Sequence, residues 1–358
     1  MDYEATLDQT VSLRECLPPE HLARFIAGVI TALDLSEIYA AYAVCRRNAV
    51  SPDKPVRSLY LMPETYLLFA QHGWADTNQA MMTLAERLAA DKAQIVTPCL
   101  NYAMTWLRIA PLIDEVEAVA TATLARQPNL PVRIVGHSMG GLIWLEVLNR
   151  HPEWWPRVEF LVLVGSPVGG SDLGRILDPL QVGVGVAADL GGDRRPIAAR
   201  VATAIPTLAI AGDVDGGSDG TITVESTRVP NGQFVCLRGI GHAALRCHPR
   251  VVEQIQQFWG GDRLSAPLLP HPLVGPLRQI PGMTDAHRRD FARATPWHTF
   301  ADGTSIRLWR SPMGIHHVFL ASVEGDCLYS GYVGWLHTND LRHGLKALQA
   351  EAELPHGG

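Results

Sequence analysis

Gly136-His137-Ser138-Met139-Gly140 sets a serine between small residues, directly after the apolar run VRIV and directly before the helix-forming run LIWLEVL. A serine hydroxyl is a weak nucleophile until a base takes its proton. A tight strand-to-helix turn lifts such a hydroxyl clear of the backbone, and a side chain at either flanking glycine would collide across that turn. The partners this chemistry requires are a histidine to accept the proton and a carboxylate to hold the imidazole. His242 stands in a G-I-G-H turn after QFVCL, with His248, beside Pro249, as a nearby competitor. For the carboxylate three residues compete after TLAIAG, namely Asp213, Asp215 and Asp219. The same D-V-D-G-G-S-D stretch invites a calcium-loop reading, but Ser218 stands where that loop needs glycine and Val224 where it needs glutamate, so calcium is rejected. The expected site holds neither metal nor cofactor.

Positioning these residues falls to alternating strands and helices. Apolar runs at 66–71, 93–98, 132–136, 160–165, 207–212 and 233–237 read as strands buried on both faces, with helices over 83–90, 109–126, 140–149 and 251–259. The fold class is therefore α/β, a doubly wound and mostly parallel sheet. Before it, Leu22, Phe25, Ile26, Val29, Ile30 and Leu33 recur at helical spacing, and a second short helix starts at Ser36. The basic, proline-containing stretch RRNAVSPDKPVR ends this segment near residue 57. After Gly260 a proline-rich connector leads to three strands, TSIRLW, HHVFLAS and CLYSGYVGW, and a helix from Asp340. The organisation is thus a helical segment over 1–57, a catalytic domain over 58–262 and a small α+β appendix over 263–358. His316 and His317 are adjacent, so on a strand they face opposite ways and make a poor metal pair.

A formal charge of -6 leaves no cationic excess for phosphate, so nucleic acid is not an expected partner. Six cysteines without a C-x-x-C pair argue for reduced, mostly buried thiols rather than a zinc site or a disulfide framework. The acidic, polar start MDYEATLDQT lacks the layout of a secretion signal, and nothing approaches 18 consecutive apolar residues. The expectation is a cytoplasmic protein without a membrane span.

Across residues 66 to 259 the motifs AQHGW, VGHSMGGL, GSPVGGSDLG, GSDGTITVEST and GIGHAAL resemble the α/β-hydrolase family, above all its lipases and esterases. The resemblance implies a serine hydrolase acting on a small-molecule or lipid acyl ester through an acyl-enzyme on Ser138, with His242 as base in the chain order Ser, Asp, His. It favours Asp219, three residues before the apolar Ile222, as the acid, with Asp215 as runner-up. It also implies that the N–H groups of Trp74 and Met139 form the oxyanion hole, while His72 shapes the turn. A lid over 171–200 would fit this family, with Leu177, Leu180, Val182, Val184 and Val186 lining an acyl pocket or, equally, facing the core of an ordinary connecting helix. An acyltransferase or thioesterase could use the same three residues. A rival of another class is a non-catalytic binding protein or a transposase-derived DNA-binding fusion, since residues 14 to 45 resemble the N-terminal domain of insertion-sequence transposases.

Overall fold

The computed structural model describes residues 66–74, 76–89, 92–100, 105, 108–170, 186–264 and 271–353. The transposase-like segment lies outside these, as do Leu177, Leu180, Val182 and Val184 of the expected lid. Val186 opens a helix whose first side chains are likewise not described.

Six strands form one parallel sheet: β1 (Tyr66–Gln71), β2 (Ala93–Val96), β3 (Val132–His137), β4 (Val158–Val164), β5 (Thr207–Asp213) and β6 (Gln233–Arg238), in the order β2-β1-β3-β4-β5-β6. The doubly wound α/β class read from the sequence is the one observed. Alternate residues of each strand serve opposite faces, because successive side chains of a strand point to opposite sides. Leu67, Phe69, Ile134, Leu161, Leu163 and Ala209 meet α2 (Ala110–Arg126), α3 (Met139–Arg150) and α5 (Arg195–Ala204). Leu68, Ala70, Val135, Val162, Val164, Leu208 and Ile210 meet α1 (Asn78–Ala89) and α6 (Pro249–Trp259). Between β4 and α5 lies the short α4 (Val186–Gly191). Helix α1 begins five residues before the expected Thr83, its buried stripe opening at Met81 and continuing through Leu84, Ala85 and Leu88.

The C-terminal part adds a five-stranded antiparallel sheet, ordered β7-β11-β10-β9-β8. Its strands are β7 (Thr284–Asp285), β8 (Thr295–Thr299), β9 (Ser305–Arg310), β10 (His316–Ala321) and β11 (Cys327–Val333). The three strands expected here correspond to β9, β10 and β11. Two were missed: β7 is only two residues long, and β8 carries Pro296, which is tolerated because β8 is an edge strand. Helices α7 (Val274–Gln279) and α8 (Thr338–Glu353) cover one face, α8 through Leu341, Leu345 and Leu348 at helical spacing. His317 is buried and His316 half-buried, as their adjacent places on β10 require.

Cys99, Cys236 and Cys327 are free thiols, and none of the three is fully buried. Among the described residues no helix is long and apolar enough to cross a membrane.

The two sheets are joined by buried charge. Asp285, on β7, is 1% exposed and binds Arg195 at the start of α5 and Arg278 on α7, the latter through its Nε at 3.1 Å and Nη2 at 2.8 Å. Arg195 also donates to the Glu225 carbonyl at 3.2 Å. Burial alone would push the Asp285 carboxyl up, but the two guanidinium groups outweigh it and hold it below the usual carboxylate range. A depressed carboxylate stabilises the fold above its unfolded value, and that contribution is lost as pH falls through the lower folded value. Asp285→Ala would leave Arg195 to the exposed Asp193 at 3.4 Å and Arg278 to Glu225 at 3.8 Å, which should cost about 3–5 kcal/mol in urea unfolding at neutral pH and less as the medium is acidified. A change below about 1 kcal/mol, the range of a surface pair, would remove the joint from this role.

Candidate active site

The serine turn is built at the junction of β3 and α3. Ser138 has φ 54° and ψ −127°, a conformation that side chains rarely adopt and that costs about 1–3 kcal/mol where it is held. Two hydrogen bonds hold it, and two glycines make room for it. The Ser138 N–H donates to the Val164 carbonyl of β4 at 2.8 Å, and its own carbonyl accepts from Gly141 N–H at 3.1 Å. A Cβ at Gly136 would lie 2.5 Å from the Gly141 Cα, and one at Gly140 would press into the carbonyl oxygens of Gln71 and His72 at the end of β1. Glycine is therefore required at both places for α3 to start against two strands.

His242 lies in the turn between β6 and α6. Its Nε2 stands 3.0 Å from Ser138 Oγ and its Nδ1 2.7 Å from Asp219 Oδ2. The His242 N–H also donates to the Asp219 carbonyl at 2.9 Å, so main chain and side chain are held to the same residue. Asp219 is buried, and its other oxygen accepts from Thr221 N–H at 3.0 Å and Ile222 N–H at 2.7 Å. With both oxygens engaged, the carboxylate has one orientation.

The competing residues have other partners. Asp213 Oδ1 accepts from Gly216 N–H at 2.7 Å and Gly217 N–H at 2.9 Å, closing the turn after β5. Asp215 accepts from Ser218 N–H at 2.8 Å and Ser218 Oγ–H at 2.7 Å, and meets His287 Nε2 at 3.0 Å. His248 caps α6, its Nδ1 accepting from Arg250 N–H at 3.2 Å.

Two further imidazoles surround the serine. His72 is buried; its Nε2 accepts from Leu100 N–H at 3.3 Å, which leaves Nδ1–H to donate to the Gly73 carbonyl at 3.1 Å. His137 is buried beside His242, ring centroids 4.7 Å apart, with its Nε2 3.1 Å from the His242 carbonyl. Burial holds both rings below the ordinary histidine value, His137 well below it. Both are therefore neutral at pH 7 and act as fixed hydrogen-bonding groups.

Met139 is the first residue of α3, and the first N–H groups of a helix have no intrahelical acceptor. Gly73 lies against it: a Cβ there would stand 3.0 Å from Met139 N and 2.9 Å from Ser138 Cβ. Trp74 follows and packs its half-buried ring against the core. The turn is tied to the His242 segment by Asp76, which pairs with Arg246 while both are buried. Sequence reading missed this pair and the roles of His137 and His287. Arg246 offered the one available signal, a charge set between Leu245 and Cys247 in an otherwise apolar run.

Residues 63–181, which carry β1 to β4 and the Ser138 turn, match the family model described as serine aminopeptidase, S33. The match is to a hydrolase family. No curated protein matches the chain by sequence. Among solved structures, a lipase of Bacillus licheniformis in its mature form is 15% identical, with a TM-score of 0.43 over 57% of this chain and 95% of its own. Est1E of Butyrivibrio proteoclasticus with ferulic acid bound is 14% identical, with a TM-score of 0.41 over 56% and 90%. A bromoperoxidase of Bacillus anthracis is 16% identical, with a TM-score of 0.40 over 55% and 92%.

Gly73→Ala tests the crowding at the head of α3. Its methyl group would press on Met139 N, Ser138 Cβ and the His137 carbonyl oxygen, each about 3 Å away, and force a small shift at the head of α3. On the serine-hydrolase reading proposed below, misplacing the serine should lower turnover of p-nitrophenyl esters by about tenfold or more with the melting temperature changed by a few degrees. Unchanged turnover would mean that Gly73 is not needed beside the serine.

Proposed function

We propose that the chain is a serine hydrolase that cleaves a carboxylic ester through an acyl-enzyme on Ser138. The observation that carries this reading is the hydrogen-bonded series Ser138 Oγ, His242 and Asp219, with the serine held at positive φ at the head of a helix. The matched serine aminopeptidase family, and the lipase and esterase motifs along the sequence, are consistent with it.

In this mechanism Ser138 Oγ attacks the ester carbonyl carbon as its proton passes to His242 Nε2. Asp219 Oδ2 accepts from the Nδ1–H and stabilises the imidazolium that forms. The carbonyl oxygen becomes an oxyanion, which the N–H groups of Met139 and Trp74 receive. Collapse expels the alkoxide, which leaves as the alcohol with the proton from His242 Nε2. Water then gives a proton to His242 and attacks the acyl carbon, and Ser138 departs with that proton as the acid is released. Since His242 must be neutral to begin, turnover falls as the medium is acidified and the ring protonates.

A fluorophosphonate probe should modify Ser138, located by mass spectrometry, and Ser138→Ala should lower ester turnover on the order of a thousandfold or more with the fold intact. Activity within tenfold of wild type would sink the nucleophile. Asp219→Asn should cost about a thousandfold to ten-thousandfold by favouring the wrong imidazole tautomer. Asp215→Asn, which keeps a side-chain oxygen for Ser218 and His287, should cost far less. The reverse ranking would transfer the acid to Asp215.

A further inference from the structure

The loop that delivers Asp219 is held in part by its own backbone, Val214 N–H donating to the Ser218 carbonyl at 2.8 Å and Asp219 N–H to the Ile222 carbonyl at 3.0 Å. Between Asp213 and Ile222 it contains Gly216, Gly217 and Gly220, and glycine loses more conformational freedom on ordering than any other residue. Asp219 must nevertheless hold Oδ2 within hydrogen-bond distance of one imidazole nitrogen. Part of what fixes the loop comes from the C-terminal antiparallel sheet, 65 or more residues further along the chain.

His287 and Arg288 follow β7 after one residue, Ala286. Arg289 N–H donates to His287 Nδ1 at 2.8 Å, so the ring proton sits on Nε2 and points at Asp215 Oδ1, 3.0 Å away. This holds for the neutral ring, so the contact does not depend on protonation. Arg288 donates through Nε to the Gly216 carbonyl. The His287 ring also packs against Gly217, where an added Cβ would lie 3.1 Å from Nε2. Three consecutive loop residues, 215 to 217, are thereby gripped by two consecutive residues of the appendix.

The grip is passed on. Asp215 accepts from both Ser218 N–H and Ser218 Oγ–H, and Ser218 Oγ accepts from Gly220 N–H at 3.1 Å. Ser218 also pairs with Thr223 as an isolated bridge, and Val224 N–H donates to the Gly217 carbonyl at 2.9 Å. Asp219 thus sits between two residues whose places are set through Asp215. The anchor at the other end is firm, because Asp285, two residues before His287, is the buried partner of Arg195 and Arg278.

We propose that His287 and Arg288 are positioning residues for Asp219, so that the C-terminal sheet completes the active site by clamping the loop that carries its acid. This rests on the serine-hydrolase reading for its kinetic consequences, though not for the geometry.

His287→Ala should lower kcat for a p-nitrophenyl ester by about tenfold or more while KM stays within about twofold, since the acid is displaced and the substrate pocket is not. With Asp219 less well placed, the imidazolium loses stabilisation, so the acid limb of the kcat profile moves to lower pH. The downfield proton resonance of the His242–Asp219 hydrogen bond should shift or broaden. His287→Gln, whose amide can donate from nearly the place of Nε2, should restore most of kcat, the limb and the resonance. Should His287→Ala fail to fold, Arg288→Ala carries the same expectations. A lower melting temperature with kcat, acid limb and resonance all unmoved makes the contact merely structural and overturns the proposal. Wild type that neither turns over esters nor labels at Ser138 would defeat the hydrolase reading instead. The resonance of His287→Ala would still judge the clamp, and its identity with wild type would overturn it.

Discussion

The constraint on which the rest depends is the approach of α3 to the end of β1. For Ser138 to leave the sheet at positive φ, the first turn of α3 must lie against the carbonyl oxygens of Gln71 and His72, and only the missing side chain of Gly140 leaves room. That approach sets the Met139 N–H beside the Gly73 turn and puts Ser138 Oγ within reach of the segment after β6. The strain is held because the surroundings are over-determined. Ser138 is bonded to β4, its helix is buried through Leu142, Ile143, Trp144 and Leu145, and two strands flank it in register. Relaxing the turn would mean withdrawing a buried helix from the sheet.

The remaining partners come from loops, and loops need outside support. The His242 turn is tied to the turn after β1 by the buried Arg246–Asp76 pair and to α1 by Arg87, which donates to the Cys247 carbonyl at 2.9 Å. The Asp219 loop is tied to the C-terminal sheet through His287 and Arg288. The principal joint between the sheets is ionic. A buried Asp285 between Arg195 and Arg278 contributes less net stability than an apolar contact of equal size, because each charge must be desolvated. It does demand one arrangement, since a displaced docking would leave buried charge unpaired. A site whose acid rides on a glycine-rich loop gains from a joint that admits a single register.

The strands and the serine turn were legible because each depends on local chemistry. Apolar runs of strand length and glycines around Ser138 are written in consecutive residues. What escaped was non-local. Asp285 reads as one polar residue among many until β7 places it opposite two arginines from separate helices, and β7 itself is too short to show a period. Asp215 and Asp219 could not be parted by sequence beyond motif position, since both sit in the same glycine-rich stretch. Geometry parts them, one turned to His242 and the other to His287. His248 resembled a second candidate base only because its cap on α6 joins residues two apart, where periodicity has nothing to say.

Three imidazoles crowd Ser138, and their surroundings give them different chemistry. His72 and His137 are buried, bonded to backbone groups, and held below the ordinary histidine value, so neither can accept a proton at little cost. His242 is half-buried and has the Asp219 carboxylate at Nδ1, which compensates a positive charge that the other two rings would carry without such a partner. The neutral pair also braces the site: His137 reaches the His242 carbonyl, and His72 bonds the Gly73 carbonyl next to the serine turn. A base must change charge during turnover while its supports must not. On the proposed reading, with His242 as the base, that division follows from burial and from where the Asp219 carboxylate points, on a loop that also meets His287 and Arg288.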